Sequence, residues 1–246
     1  MLAKYHPSLS IVIPVFNEET RLPSTLRTVE EFIRELDAEV IIVVEKSTDN
    51  TLQIAEAAAA TTEKIRVLAN AVQRGKGYAV KCGMLSAKGD LIFFMDADLS
   101  VPIETVDKFR AEFQSNQDVQ ILVGNRQHAE SDIVSAQGWM RRSMGQMFNQ
   151  VVRRISRIPL RDTQCGFKGF RREVAHDLFA AQTVDGFAFD VEILLLAQKR
   201  GYAMADLPVE WRNSTDSRVH IFHDSLRMLW DVARLRANPS NRKKRT

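Results

Sequence analysis

Leu91-Ile92-Phe93-Phe94-Met95-Asp96-Ala97-Asp98 is a run of five apolar residues that ends abruptly on two acids. The apolar part has the length and aromatic content of a buried strand. Reading outward from it, the chain repeats one pattern. Upstream lie a helix over Lys76–Ala87 and a strand over Ile65–Ala69. Before them comes an alanine-rich helix, Thr51–Ala60, behind the cap-type residues Ser47-Thr48-Asp49-Asn50. Val40–Val44 is a β-branched strand, and Leu9–Val15 is the first strand. Between those two, Leu22, Leu26, Val29, Phe32, Ile33 and Leu36 recur near helical spacing, which predicts a helix over Thr20–Leu36. Downstream, Pro102–Phe113 reads as a helix with proline in its first turn, and Val119–Val123 as a fifth strand. Strands separated by single helices imply right-handed crossovers. The fold class is therefore α/β, with a mainly parallel sheet and helices on both faces. Ligands of such sheets sit beyond the carboxyl ends of the strands, so the places to look follow Val15, Val44, Ala69, Met95 and Val123.

The second half is less regular. Trp139–Ile155 reads as an amphipathic helix with one strongly basic face, and Arg161–Phe170 as a loop leading into a short strand. A helix over Phe189–Lys199, a strand over Ala203–Val209 and a last helix over Phe222–Leu235 follow. No linker separates the halves. We expect one domain over 1–237, its halves about 9–125 and 126–237, followed by a basic flexible tail over 238–246.

Composition narrows the class further. The chain has 246 residues, 45% apolar and 26% charged, which is globular and rules out a disordered or collagen-like chain. Two cysteines, Cys82 and Cys165, make neither a disulfide framework nor a zinc pattern, and they favour a reducing, cytoplasmic setting. A net charge of +3 does not suggest a nucleic-acid partner, and no nucleic-acid-binding motif is present. No apolar run has the length of a membrane span and Met1–Ser10 has no signal-peptide core, so the expected behaviour is soluble or peripheral. The basic residues Arg227, Arg234, Arg236, Arg242, Lys243, Lys244 and Arg245, against the single acid Asp231, suit an anionic membrane surface.

Several groups could carry chemistry. Asp96 and Asp98 at a strand end make a hard oxygen site for Mg²⁺ or Mn²⁺, which favour one or two carboxylates together with phosphate oxygens. They could equally be solvated acids capping the strand. Glu18 and Glu45 could accept hydrogen bonds from a ribose or a base, or stand as charges at helix termini. Arg74-Gly75-Lys76-Gly77 opens a helix and could approach phosphate, but lacks the spacing of an ATPase loop. Arg126, Arg141, Arg142, Arg153 and Arg154 could bind phosphate, although the last two fit a solvated face. Cys165 reads as a small buried packer rather than a nucleophile. Asp190 and Glu192 could face the crevice or serve as charges at a helix start, and the five histidines are scattered.

Taken together, the chain resembles the inverting family-two nucleotide-sugar glycosyltransferases, and within them the dolichyl-phosphate (polyprenyl-phosphate) β-glucosyltransferases. The resemblance runs from about Ser10 to Leu235. It is carried by Ile13–Glu18, Ser47–Thr51, Gly75–Val80, Asp96–Ser100, Gly124-Asn125-Arg126, Arg161–Lys168, Phe189–Glu192 and Pro208–Trp211. The Asp162-Thr163-Gln164-Cys165-Gly166-Phe167-Lys168 stretch is the specific part and favours lipid-phosphate acceptors. Glu45-Lys46-Ser47-Thr48-Asp49 departs from the family's usual Asp-Asp/Gly-Ser-x-Asp run. Many relatives also carry a transmembrane helix at one end, and none is read here.

The resemblance implies a GT-A fold. It implies that Pro14, Asn17 and Glu18 line a nucleotide pocket and that Asp96 and Asp98 hold the diphosphate and metal; from their own positions, Glu45 and Lys76 are expected to contact the nucleotide sugar as well. Arg126, Arg141 and Arg218 would meet acceptor phosphate, and Asp162 would face the donor sugar. The expected reaction moves a hexose, glucose from UDP-glucose, onto a polyprenyl or dolichyl monophosphate at the cytoplasmic membrane face, with Asp98, Asp162 and Arg126 as its catalytic groups. GDP-mannose as donor, or a soluble sugar hydroxyl as acceptor with Asp190 or Asp162 as base, is the alternative. A non-catalytic nucleotide-binding module is a more distant one.

Overall fold

The computed structural model describes residues 7–126, 152, 154, 156–212, 230–232, 234 and 235. Seven strands form one sheet: β1 Leu9–Val15, β2 Ala38–Val44, β3 Ile65–Ala69, β4 Leu91–Met95, β5 Ile121–Asn125, β6 Phe167–Arg171 and β7 Met204–Pro208. Their order across the sheet is β3-β2-β1-β4-β6-β5-β7. Helices α1 Leu22–Ile33, α2 Thr51–Ala59, α3 Lys76–Ser86, α4 Thr105–Ser115, α5 Arg172–Ala181 and α6 Phe189–Arg200 connect and cover them. This is the expected α/β architecture, with two differences in the second half.

The first difference is β6. It lies between β4 and β5 and runs antiparallel to both, whereas the β1–β2, β2–β3, β1–β4 and β5–β7 pairs are parallel. Its register pairs Met95 with Phe167 and Leu91 with Arg171. The amino end of β6 therefore sits on the same rim as the carboxyl ends of β4 and β5. The second difference is α5, which continues from β6 with no intervening turn and was not anticipated. Its buried residues Val174, Ala175, Leu178 and Phe179 do carry helical spacing. Helix α4 also starts later than expected, at Thr105. The bonds from Thr105 N–H to Pro102 O and from Val106 N–H to Ile103 O shape the preceding segment as turns.

Alternation along the strands sorts the core into two layers. Val12, Ile41, Val43, Ile92 and Phe94 face α3, α5 and α6. Ile11, Ile13, Val40, Ile42, Phe93 and Met95 face α1 and α4. Both faces being covered explains why the strands read as continuous apolar runs. Phe93 anchors the second layer, with ring centroids 6.3, 6.4 and 5.9 Å from Phe109, Phe113 and Phe167. Truncating such a ring costs about 3–5 kcal/mol.

The helices expected over Trp139–Ile155 and Phe222–Leu235 fall mostly outside the described residues, although the described positions 152, 154, 156, 230–232, 234 and 235 are helical. The tail over 238–246 lies outside them too. Among the described residues, no helix is long and apolar enough to cross a membrane. The strand order reverses direction at β1, between β2 and β4, so the ligand crevice belongs beyond Val15 and Met95.

Candidate active site

The loops after β1 and β2 are tied together first. Asn17, in the left-handed region at φ 53°, accepts from Thr48 N–H at 2.8 Å, and its own N–H donates to Ser47 Oγ at 3.0 Å. Glu18 N–H donates to Thr51 Oγ1 at 2.7 Å, while the Glu18 carboxylate pairs with Arg21 at 3.1 Å. Asn17 and Glu18 therefore tie the loop after β1 to the loop after β2. Pro14 lies in β1, opposite Val43.

Glu45 differs from expectation. It is buried, and its carboxylate accepts from Asn70 Nδ2 at 2.7 Å, Arg74 N–H at 2.7 Å and Gly75 N–H at 3.2 Å. Both oxygens serve the loop after β3, so its geometry is that of a loop anchor rather than a ribose or base contact. The same loop is tied to the segment before α6. Arg74 pairs with Asp185 at 2.7 Å, and Tyr78 N–H donates to Asp185 O at 3.1 Å. Gly75 is at φ 125°, and a Cβ there would meet Asp185 O at 2.7 Å. Only glycine suits that turn.

These anchors place Lys76 in the first turn of α3, where its Nζ lies 2.5 Å from Asp96 Oδ1. Burial pulls the Lys76 ammonium down most strongly as a single influence, but Asp96, Asp190 and Asp98 together outweigh it and raise its pKa. Asp98 accepts from Ser100 N–H at 3.0 Å through a turn in which Leu99 has φ 47°. Gly166 backs the acid pair from the β6 side. A Cβ there would come within 2.0 Å of Asp96 Oδ2, and Gly166 O accepts from Asp96 N–H at 3.2 Å.

A second ion pair stands at the end of β5. Arg126 grips Asp162 with Nε on Oδ2 at 2.7 Å and an Nη on Oδ1 at 3.0 Å, and its N–H adds a contact to Oδ2 at 3.2 Å. Asp162 is fully covered, while the Arg126 side chain remains 33% exposed. Burial would raise the Asp162 carboxyl, but Arg126 wins and holds it below the usual range. Asp162 was expected to face the donor sugar. In this structure both its oxygens are engaged by Arg126.

A third pair lies beneath. Lys168 Nζ reaches Asp190 Oδ1 at 2.5 Å and Cys165 O at 2.7 Å, with side-chain exposures of 0% and 8% for Lys168 and Asp190. Burial raises the Asp190 carboxyl, against the pull of Lys168 and then Lys76. Burial likewise pushes the Cys165 thiol up to about 12, which leaves it neutral and supports the reading of a packing residue. The role of Lys168 was missed. Its signal was a lysine flanked by Phe167 and Phe170 in a short predicted strand. Glu192 faces away from chemistry, accepting from the backbone N–H groups of Thr183 and Val184.

Asp96, Asp98, Lys76, Arg126, Asp162, Lys168 and Asp190 thus converge on one rim. Arg141, Arg142, Arg153 and Arg218 lie outside the described residues. Among the described residues, no group of three or more His, Cys, Asp or Glu forms a metal cage. A pair of aspartates fits a hard divalent cation shared with phosphate oxygens, which needs only one or two protein carboxylates.

Comparison with known proteins identifies the family. Residues 10–179 match the profile of Glycosyl transferase family 2. The dolichyl-phosphate beta-glucosyltransferase of Drosophila melanogaster is 36% identical over 237 residues, covering 91% of this chain and 73% of that protein. The Homo sapiens protein of the same name is 31% identical over 241 residues, covering 93% and 74%. Glucosyl-3-phosphoglycerate synthase from Mycobacterium tuberculosis, solved with Mg²⁺ and UDP, superposes with a TM-score of 0.71 at 19% identity, covering 94% of this chain and 79% of that one. That likeness speaks for the fold, which is GT-A. With a family profile spanning β1 to α5 and the acid pair on the expected rim, the chain is a glycosyltransferase and belongs to glycosyl transferase family 2.

Proposed function

We propose that the protein transfers glucose from UDP-glucose to the phosphate of a dolichyl or other polyprenyl phosphate, with inversion at the anomeric carbon. One observation carries the reading beyond the names of its relatives. Three acids of the crevice are each held by a cation: Asp96 by Lys76, Asp162 by Arg126 and Asp190 by Lys168. Asp162, with its lowered pKa, is a weak base; Asp190 is raised by burial, but it is 8% exposed and held by Lys168. A sugar hydroxyl would need a base to accept its proton. A phosphate monoester has a second pKa of about 6 and arrives largely ionised, so it needs none.

In this mechanism an acceptor phosphate oxygen attacks the anomeric carbon as the bond to the UDP oxygen breaks, and the electron pair leaves with UDP. No proton has to move. The guanidinium of Arg126 has donors beyond those facing Asp162, and these hold the acceptor phosphate in line. Asp162 keeps that guanidinium in place. Asp96 and Asp98 would hold Mg²⁺ or Mn²⁺, and the ion, when bound, neutralises charge on the departing diphosphate. Arg141 and Arg218 are proposed as further phosphate contacts. A polyprenyl acceptor puts the work at the cytoplasmic membrane face, with the basic run over 227–246 toward anionic headgroups.

The test is transfer of label from UDP-glucose, GDP-mannose and other nucleotide sugars, with Mg²⁺ or Mn²⁺, into organic-extractable polyprenyl phosphate. UDP-glucose alone should label the lipid phase. Label from another donor would correct the sugar. Release of UDP with no lipid product would overturn the acceptor.

A further inference from the structure

Lys76 occupies an oxygen that the proposed metal needs. Its Nζ sits on Asp96 Oδ1, and Asp96 Oδ2 is backed by Gly166 so closely that a methyl group there would lie 2.0 Å away. Oδ1 is thus taken by the ammonium and Oδ2 is approached by the Gly166 backbone, while the side chain keeps 37% of its surface exposed. The main chain of Lys76 is fixed by the Ala79 N–H to Gly75 O bond at 3.2 Å and by the contact of Tyr78 N–H with Asp185 O at 3.1 Å. The side chain above it is a flexible four-carbon stem, 22% exposed, and can turn without moving the helix.

Charge arithmetic then sets an order of binding. Asp96, Asp98 and Lys76 sum to −1. A divalent ion entering alone would face the ammonium as a like charge on a shared carboxylate. A diphosphate entering with it offers the ammonium a second anionic partner. We propose that Lys76 is a built-in stand-in cation for Asp96, so that the site takes a divalent metal only together with the nucleotide diphosphate, to which Lys76 transfers. This rests on the assignment of Asp96 and Asp98 to the donor diphosphate, and it adds a coupling between metal and nucleotide.

Mn²⁺ titration followed by electron paramagnetic resonance reads free aquo-ion directly and needs no turnover. Wild type should bind Mn²⁺ weakly without nucleotide, and roughly tenfold or more tightly with saturating UDP. UDP chelates Mn²⁺ itself, so the nucleotide-free arm decides. There, Lys76→Met should bind Mn²⁺ roughly tenfold or more tightly than wild type, and Lys76→Arg should behave as wild type. Adding Asp96→Asn to Lys76→Met should abolish the gain. Lys76→Gln takes the place of Lys76→Met if the latter does not fold. Unchanged nucleotide-free affinity in both neutral variants would overturn the proposal. The two readings fail separately. Lipid glucosylation with no change in Mn²⁺ affinity removes the coupling alone. Tighter Mn²⁺ binding in the variant, with no transfer to lipid, removes the acceptor alone.

Discussion

Gly166→Ala should disable the enzyme while leaving it folded. The added methyl would stand 2.0 Å from Asp96 Oδ2 and 2.6 Å from its Cγ, where unstrained contacts are about 3.5 Å. The gap must open by about 1 Å or more. The backbones cannot part freely, because Asp96 N–H is bonded to Gly166 O at 3.2 Å. The carboxylate can move, since the Asp96 side chain is 37% exposed. It therefore swings toward water, and Lys76 must follow or lose its partner. Relief of this kind puts the stability loss near the low end for overpacking, about 1 kcal/mol, or roughly 2–4 °C in Tm for a chain of this size. Displacing a reacting-site group by about 1 Å can lower kcat/KM by about 100-fold. Thermal unfolding by circular dichroism, UDP titration with Mg²⁺ by calorimetry and glucosyl transfer separate the two effects. Gly186→Ala is the control, with nothing within 4 Å of its added methyl, and should be silent within about 0.5 kcal/mol. Wild-type kcat/KM in Gly166→Ala would refute the placement of Asp96 in the donor site. Outright unfolding would move Gly166 from site geometry to folding.

Other perturbations test the paired charges. Asp162→Asn should lower stability at pH 7 by about 2–4 kcal/mol, less than for a wholly buried pair because Arg126 is partly solvated. Its pH dependence has a definite sign. With the folded pKa of Asp162 lowered by Arg126 against burial, the stabilisation is complete above the unfolded value of about 3.9 and is lost as pH falls through the folded value. Chemical denaturation should then show the wild-type advantage at pH 6 shrinking at pH 2.5, and an equal advantage at both would contradict the pairing. Lys168→Met should cost about 3–5 kcal/mol by leaving Asp190 buried without its partner, and Lys168→Met/Asp190→Leu should recover most of that. Additive losses in urea melts would argue against a coupled pair. Cys165, fully covered and with its thiol pushed up to about 12, should resist iodoacetamide at pH 8 until the protein unfolds. Peptide mass spectrometry showing rapid native labelling would contradict that burial.

The elements of the first half were readable because each announces itself locally. Leu91–Met95 is apolar at every position, α1 repeats its apolar face, and β2, β3 and β4 are followed at once by Glu45, Asn70 and Asp96. Asp96 and Asp98 could be found for the same reason, standing just past a strand end. What could not be read is what comes together from afar. Arg126 and Asp162 are 36 residues apart, and Lys168 and Asp190 are 22 apart, with no periodicity linking either pair. The resemblance implied only that Asp162 stands near the donor sugar and said nothing of its pairing with Arg126. The loop contacts of Glu45 were no easier to read, because an acid at a strand end looks alike whether it meets a ligand or the N–H groups of Arg74 and Gly75. The antiparallel β6 left no mark either, since a short apolar strand reads the same in both directions.

The place of β6 has a consequence for synthesis. Until residues 167–171 emerge, β4 has β1 on one side and nothing on the other, an apolar strand with a bare edge. At about 5–20 residues per second of translation, that edge stays open for on the order of several seconds after β4 is made. The β1-to-β5 portion cannot close its sheet as a free-standing folding unit, since β5 reaches β4 only through β6. A nascent chain in that interval is a template for self-association; the arrival of β6 covers β4, and β7 then covers β5. A stalled or truncated product ending between α4 and β6 should accordingly be found with chaperones or in aggregates, while one extending through β7 should not.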